Sequence, residues 1–351
     1  GSWGDLEDRG AYTQFHQAEP VRQGAGPTAL VLYTLLRSGQ SLQDPVLKRG
    51  FAYLHQHHRI PATSMERAMT LLAVLATAEA RPLGSTSRTR RKPKLHGRYR
   101  IWAVELVGHL VERRTARGWR YNVKNRVESL QIGGPEDIVS THLVGLALLS
   151  AHRLGIKTER SVWDDLLGFT LDQQEGSTLY RPDPRKPRGF AYIQGHPVAD
   201  EGLPTGGATA CGIALVRMAL HVLTNGDGRP ELLKERLPRI YEQVRTSIDP
   251  AYLWLAEHWS AYANPGKRKG QKVQHHHWLW AFETAQDLVP APEAKLGEHA
   301  WYAEIAKELI NRQHEDGRWH VQGSWEPADV LDTCFAVLFL KRATRGLIAA
   351  R

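Results

Sequence analysis

A short design recurs along the chain: a threonine, then an apolar run with small residues in it. It reads Thr28-Ala-Leu-Val-Leu-Tyr-Thr-Leu-Leu36, Thr70-Leu-Leu-Ala-Val-Leu75, Thr141-His-Leu-Val-Gly-Leu-Ala-Leu-Leu149, Thr209-Ala-Cys-Gly-Ile-Ala-Leu-Val216 and Asp332-Thr-Cys-Phe-Ala-Val-Leu-Phe-Leu340. With their flanking residues these runs are too long for strands and lack strand alternation. A helix that is apolar on most of its surface must be covered on both faces. Self-similarity of this kind constrains the fold to a stack or ring of helical repeats.

Apolar helices are expected near Pro27–Arg37, Ser64–Glu79, Glu136–His152, Gly206–Val222, His276–Leu288 and Val330–Ala343. Between them lie segments with charge on one face: Asp44–His57, Arg100–Arg114, Thr158–Gln174, Glu231–Arg245 with Pro250–Trp259, and Trp301–Gln313. Boundary signals fit these limits. Thr63-Ser-Met-Glu66 reads as a capping box, Asp329 as a cap for the last helix, and Gly39 and Gly155 as residues just beyond helix ends. The two helix types predict an all-α fold: an α/α toroid of six hairpins, with apolar helices inside and amphipathic ones outside. The whole chain, 1–351, is read as one such domain. Gly1-Ser-Trp-Gly4 resembles the tail of a repeat unit, so the domain is expected to be truncated at its N-terminus and localisation is left undetermined.

Two cysteines, Cys211 and Cys334, both inside apolar runs, exclude a disulfide framework and read as buried thiols. No apolar stretch is expected to reach the roughly 18 residues that span a bilayer, which leaves peripheral contact as the only membrane role. The net charge of +9 comes from 46 basic and 37 acidic residues, and the excess sits in Pro/Gly-bearing segments: 88–98, 181–188 and 266–272. No reading helix or stacking platform accompanies them, so nucleic acid is not the expected partner.

Gln313…Gly317-x-Trp319 resembles the glutamine–tryptophan repeat of squalene–hopene cyclases, with weaker copies at Gly118-Trp119, Lys48-Arg-Gly-Phe-Ala-Tyr-Leu54 and Gln174-Glu-Gly176…Tyr180. The chain thereby resembles the terpenoid cyclase and protein prenyltransferase superfamily of α/α toroids. That resemblance implies a central apolar cavity for an isoprenoid or similar lipid. It implies class II cyclase chemistry only if the Asp-x-Asp-Asp-Thr-Ala motif is intact. Here the segment is Asp329-Val-Leu331-Asp332-Thr-Cys334, with leucine at the proton-donor position, which argues against squalene-type protonation. Asp329 and Asp332 remain as candidate catalytic residues, with helix capping as their bland role. The prenyltransferase zinc pattern, Asp-x-Cys plus a histidine, is matched in spacing by Asp332 and Cys334 with His277. The overall expectation is no cofactor, with zinc as the exception to test.

Ligand-binding candidates fall at the end where the apolar helices begin. Trp278, Trp280, His276 and Tyr192 are candidates for the cavity lining. Arg181, Arg188, Lys267 and Lys269 are placed on long loops beside converging helix N-termini, a setting for an anionic head group. The competing function is a non-catalytic toroid that binds a peptide or protein partner. The sequence leaves open whether the chain is an enzyme.

Overall fold

The computed structural model describes residues 24–79, 93–120, 136–178, 182–194, 202–266, 275–289, 294–320 and 328–342. The fold is all-α. The described residues hold no strand, only isolated bridges such as Gln174 to Phe190 and Ala191 to Pro204.

The apolar runs form α1 (Ala25–Arg37), α3 (Ser64–Ala76), α5 (Ile138–Arg153), α7 (Gly206–Leu223), α10 (His275–Asp287) and α12 (Ala328–Lys341). The amphipathic segments form α2 (Pro45–His57), α4 (Gly97–Glu112), α6 (Arg160–Asp172), α8 (Pro238–Arg245), α9 (Ile248–Glu257) and α11 (Trp301–Arg312). Packing follows polarity. In α2 only Leu47, Gly50, Phe51 and Leu54 are buried, a single stripe at helical spacing. In α10 every residue is buried, and in α3 all but Met65. Helices covered on every side must lie in the interior, and they pack on one another in order. α1 meets α3, α3 meets α5, α5 meets α7, α7 meets α10, α10 meets α12, and α12 returns to α1. The amphipathic helices add outside contacts: α2 on α1, α4 on α3 and α5, α6 on α7, α9 on α7. The buried apolar residues form one cluster from Ala25 to Phe339.

Local signals explain the helix ends. Thr63 and Glu66 complete the capping box, and Asp44 accepts from the Val46 N–H at 2.7 Å ahead of Pro45. Gly39 and Gly155 follow α1 and α5 with φ of 95° and 78°, the left-handed geometry that ends a helix. Two expectations are corrected. α7 does reach 18 residues at a mean hydropathy of 1.5, but 83% of it is buried inside the protein, as befits a core helix. Asp329 falls inside the first turn of α12, where Arg318 and His320 hold its two carboxylate oxygens, instead of standing ahead of the helix as a cap.

Candidate metal centre

The recurring threonine has a specific task at the start of the interior helices. In α5 the Thr141 hydroxyl accepts from the Trp119 N–H at 3.0 Å and donates to the Trp119 carbonyl at 3.4 Å. In α7, Thr209 does the same for Phe190 at 3.0 and 3.5 Å, and in α12, Thr333 for Trp319 at 3.1 and 3.4 Å. One hydroxyl thus meets both the N–H and the C=O of a single residue where the incoming chain crosses the helix. Trp119 and Trp319 complete the joint by donating their indole N–H to Leu110 and Leu309 carbonyls, each at 2.8 Å. A side chain at Gly118 or Gly189 would meet the clasping hydroxyl at 3.0 Å, which explains glycine before the joint aromatic. The joint at α7 is Gly189-Phe190; of the Gly176…Tyr180 pair expected from sequence, Tyr180 lies outside the described residues. Gln174 supports that joint from below, donating to the Arg188 and Ser247 carbonyls at 3.0 and 2.8 Å.

Counted from the helix caps, the clasping residue stands four positions after Asp137 in α5 and four after Thr205 in α7. The same step from Thr63 lands on Arg67, three residues before the Thr70 that the sequence pattern selects.

Next to these clasps, three neighbouring interior helices bring together metal-ligating side chains. His142 of α5, Cys211 of α7 and His277 of α10 place a ring nitrogen, a sulfur and a ring nitrogen within 4.8 Å of one another. All three are buried, His142 and Cys211 with no exposed surface. Neither ring nitrogen of His142 has a hydrogen-bond partner, nor does Nε2 of His277. Burial holds His142 down to about 3, with the neighbouring His277 charge adding to the shift, and holds His277 down to about 4. Both imidazoles are neutral at pH 7, the form that ligates metal. Burial, followed by the Asp137 charge, pushes the Cys211 thiol up, so it keeps its proton until a cation displaces it. Zinc bonds of ordinary length would set such donor atoms about 3.3–3.6 Å apart, inside the 4.8 Å within which they all lie here. The residues fit such an ion in number and softness, and the two imidazoles fit it in protonation and in their unpartnered nitrogens. Trp280 borders the group, its ring centroid 6.0 Å from His142 and 6.2 Å from His277, and Phe335 stacks on it at 5.2 Å.

The group shares only His277 with the set expected from sequence. Among the described residues, Asp332 and Cys334 do not join a metal-ligating cluster. Cys334 is buried beside Thr34, its thiol pushed up to about 12 by desolvation. An Asp332 oxygen stands 3.1 Å from His276 Nδ1, a contact that falls short of a hydrogen bond.

The other candidates separate. Trp280 faces the ligand group, whereas Trp278 donates to the Ser260 carbonyl at 3.1 Å and packs on Trp259 and Phe282, against the outer layer. The Tyr192 carbonyl accepts from the Ile138 N–H at 3.2 Å, at the start of α5. Arg188 is buried and donates to the Glu175 and Thr246 carbonyls, so it staples a loop instead of offering a free cation. Arg181, Lys267 and Lys269 lie outside the described residues.

No family model, curated protein or solved structure matches the chain.

Proposed function

We propose that the chain is a six-hairpin α/α toroid whose interior carries a zinc centre at His142, Cys211 and His277, beside an apolar space for an isoprenoid or similar lipid. The single observation that carries the metal reading is the convergence of three buried ligand side chains from three helices, with both His142 nitrogens and His277 Nε2 unpartnered. The toroid reading is supported by the cyclic packing order of the apolar helices and the amphipathic layer outside them. The lipid reading is supported by the repeat resemblance and by the aromatic wall of Trp280 and Phe335.

His142, Cys211 and His277 would hold the zinc, which when bound would supply Lewis-acid polarisation of a substrate oxygen or sulfur. The chain's own part is to hold the imidazoles neutral by burial, to give up the Cys211 proton on loading, and to exclude water with Trp280 and Phe335. Protonation of an alkene is not part of the proposal. Leu331 stands at the donor position, and both Asp329 oxygens are taken by Arg318 and His320. That same observation favours the second reading, a toroid that binds a peptide or protein partner without catalysis.

Zinc analysis of the purified protein tests the metal reading. About one zinc per chain is expected, lost in Cys211→Ser and retained in Cys334→Ser. Loss in the Cys334 variant alone would return the site to Asp332 and Cys334. A polyprenyl diphosphate titration followed by tryptophan fluorescence tests the lipid reading. Quenching that depends on Trp280 supports it, and no response at millimolar ligand favours the partner-binding reading.

A further inference from the structure

Arg67 breaks the pattern of the interior helices. Its position four residues after the cap is held by threonine in α5 and α7, where a short neutral hydroxyl clasps the incoming chain. In α3 the position carries a guanidinium that is 3% exposed. Its Nη2 takes over part of the clasp, donating to the Ala62 carbonyl at 3.0 Å. Nε and Nη1 are sealed from water and have no acceptor. The Ser64 hydroxyl one turn before it and the Thr70 hydroxyl one turn after it are also sealed and unpartnered.

The surrounding charge does not neutralise this cation. Burial and the like charge of Arg113, at the end of α4, both work against it; Glu66 and Glu112 offset them in part. Glu66 is committed elsewhere, receiving the Thr63 N–H and hydroxyl on one oxygen and the Gly26 N–H on the other. Among the described residues no carboxylate forms an ion pair with Arg67. A guanidinium is the side chain best suited to tetrahedral oxyanions, and here it lies in the first turn of α3, where the helix dipole also favours negative charge.

We infer that Arg67, with the Ser64 hydroxyl, anchors a binding site for a phosphate group at the start of α3. This site is separate from the His142–Cys211–His277 group and does not depend on metal. The phosphate could be free or the head of a lipid, and one experiment addresses both. Thermal unfolding is followed for the full chain in inorganic phosphate, in hexyl phosphate, and in sodium chloride of matched ionic strength. The wild-type protein should gain melting temperature in phosphate over the chloride control. Arg67→Met should lose that gain and, without phosphate, melt no lower than wild type, because it removes a buried charge that lacks a counter-ion. A gain for hexyl phosphate beyond that for inorganic phosphate assigns the group to a lipid head; equal gains assign it to free phosphate. No gain in wild type, or an equal gain in Arg67→Met, overturns the inference. Should Arg67→Met fail to fold, Arg67→Lys decides: a weakened response supports the site, and an unchanged one refutes it.

Discussion

Acid should unfold the metal-free protein through His142 and His277, and the size of the effect follows from their burial. An ordinary histidine titrates near 6.5 in the unfolded chain, whereas these stand at about 3 and about 4 in the folded protein. The unfolded state therefore binds protons more readily. The stability that the neutral imidazoles contribute is complete above pH 6.5 and is lost as pH falls towards 4 and 3. Between pH 7 and pH 5 each histidine alone would forfeit about 2 kcal/mol. At pH 5 both rings remain mostly neutral in the folded protein, so the pair together should lose about twice the single value, about 4 kcal/mol. Urea unfolding of chelator-treated protein at pH 7 and pH 5 measures the loss. His142→Phe keeps an aromatic ring beside Trp280 and removes the titration, so its loss should be smaller by about 1–2 kcal/mol. Other histidines contribute equally to both proteins and cancel in the difference. An identical acid sensitivity in wild type and His142→Phe would refute the reasoning.

The joints offer two independent tests. Thr141→Val leaves the buried Trp119 N–H without its acceptor and should cost about 1–3 kcal/mol in urea unfolding, while Thr141→Ser should recover most of it. Gly212→Ala would drive a methyl to 2.4 Å from the Phe190 ring and should lower the melting temperature, by overpacking worth about 1–3 kcal/mol. Adding Phe190→Leu to Gly212→Ala should restore part of that loss, since the two changes share one contact; simple additivity would contradict the packing argument.

The helices were legible in the sequence because their signals are local. Apolar character on most faces marked α3, α5 and α7 as interior, and Thr63 with Glu66 marked where α3 begins. The register of α3 was not legible. Thr70 follows the written pattern, but the cap four residues upstream puts Arg67 in the clasping position. The ligand group was hidden for a different reason. His142 and Cys211 each stand alone in an apolar run, where a single imidazole or thiol reads as core. Only the packing of α5, α7 and α10 brings them to His277. The Asp332-x-Cys334 pattern drew attention to α12 because its residues are adjacent in sequence, yet Cys334 is turned to Thr34. Arg188 looked like a free loop cation because the carbonyls it serves, at Glu175 and Thr246, come from a neighbouring residue stretch and a distant one.

The most direct test of the metal centre is cobalt substitution. Cobalt(II) added to the metal-free protein at pH 7 should give tetrahedral d–d absorption together with a single thiolate-to-cobalt charge-transfer band. One cobalt should bind per chain, with release of the Cys211 proton. The charge-transfer band should vanish in Cys211→Ser, persist in Cys334→Ser, and be displaced by zinc. Failure of the folded protein to take up cobalt, or a thiolate band that survives Cys211→Ser, would contradict a metal site at His142, Cys211 and His277.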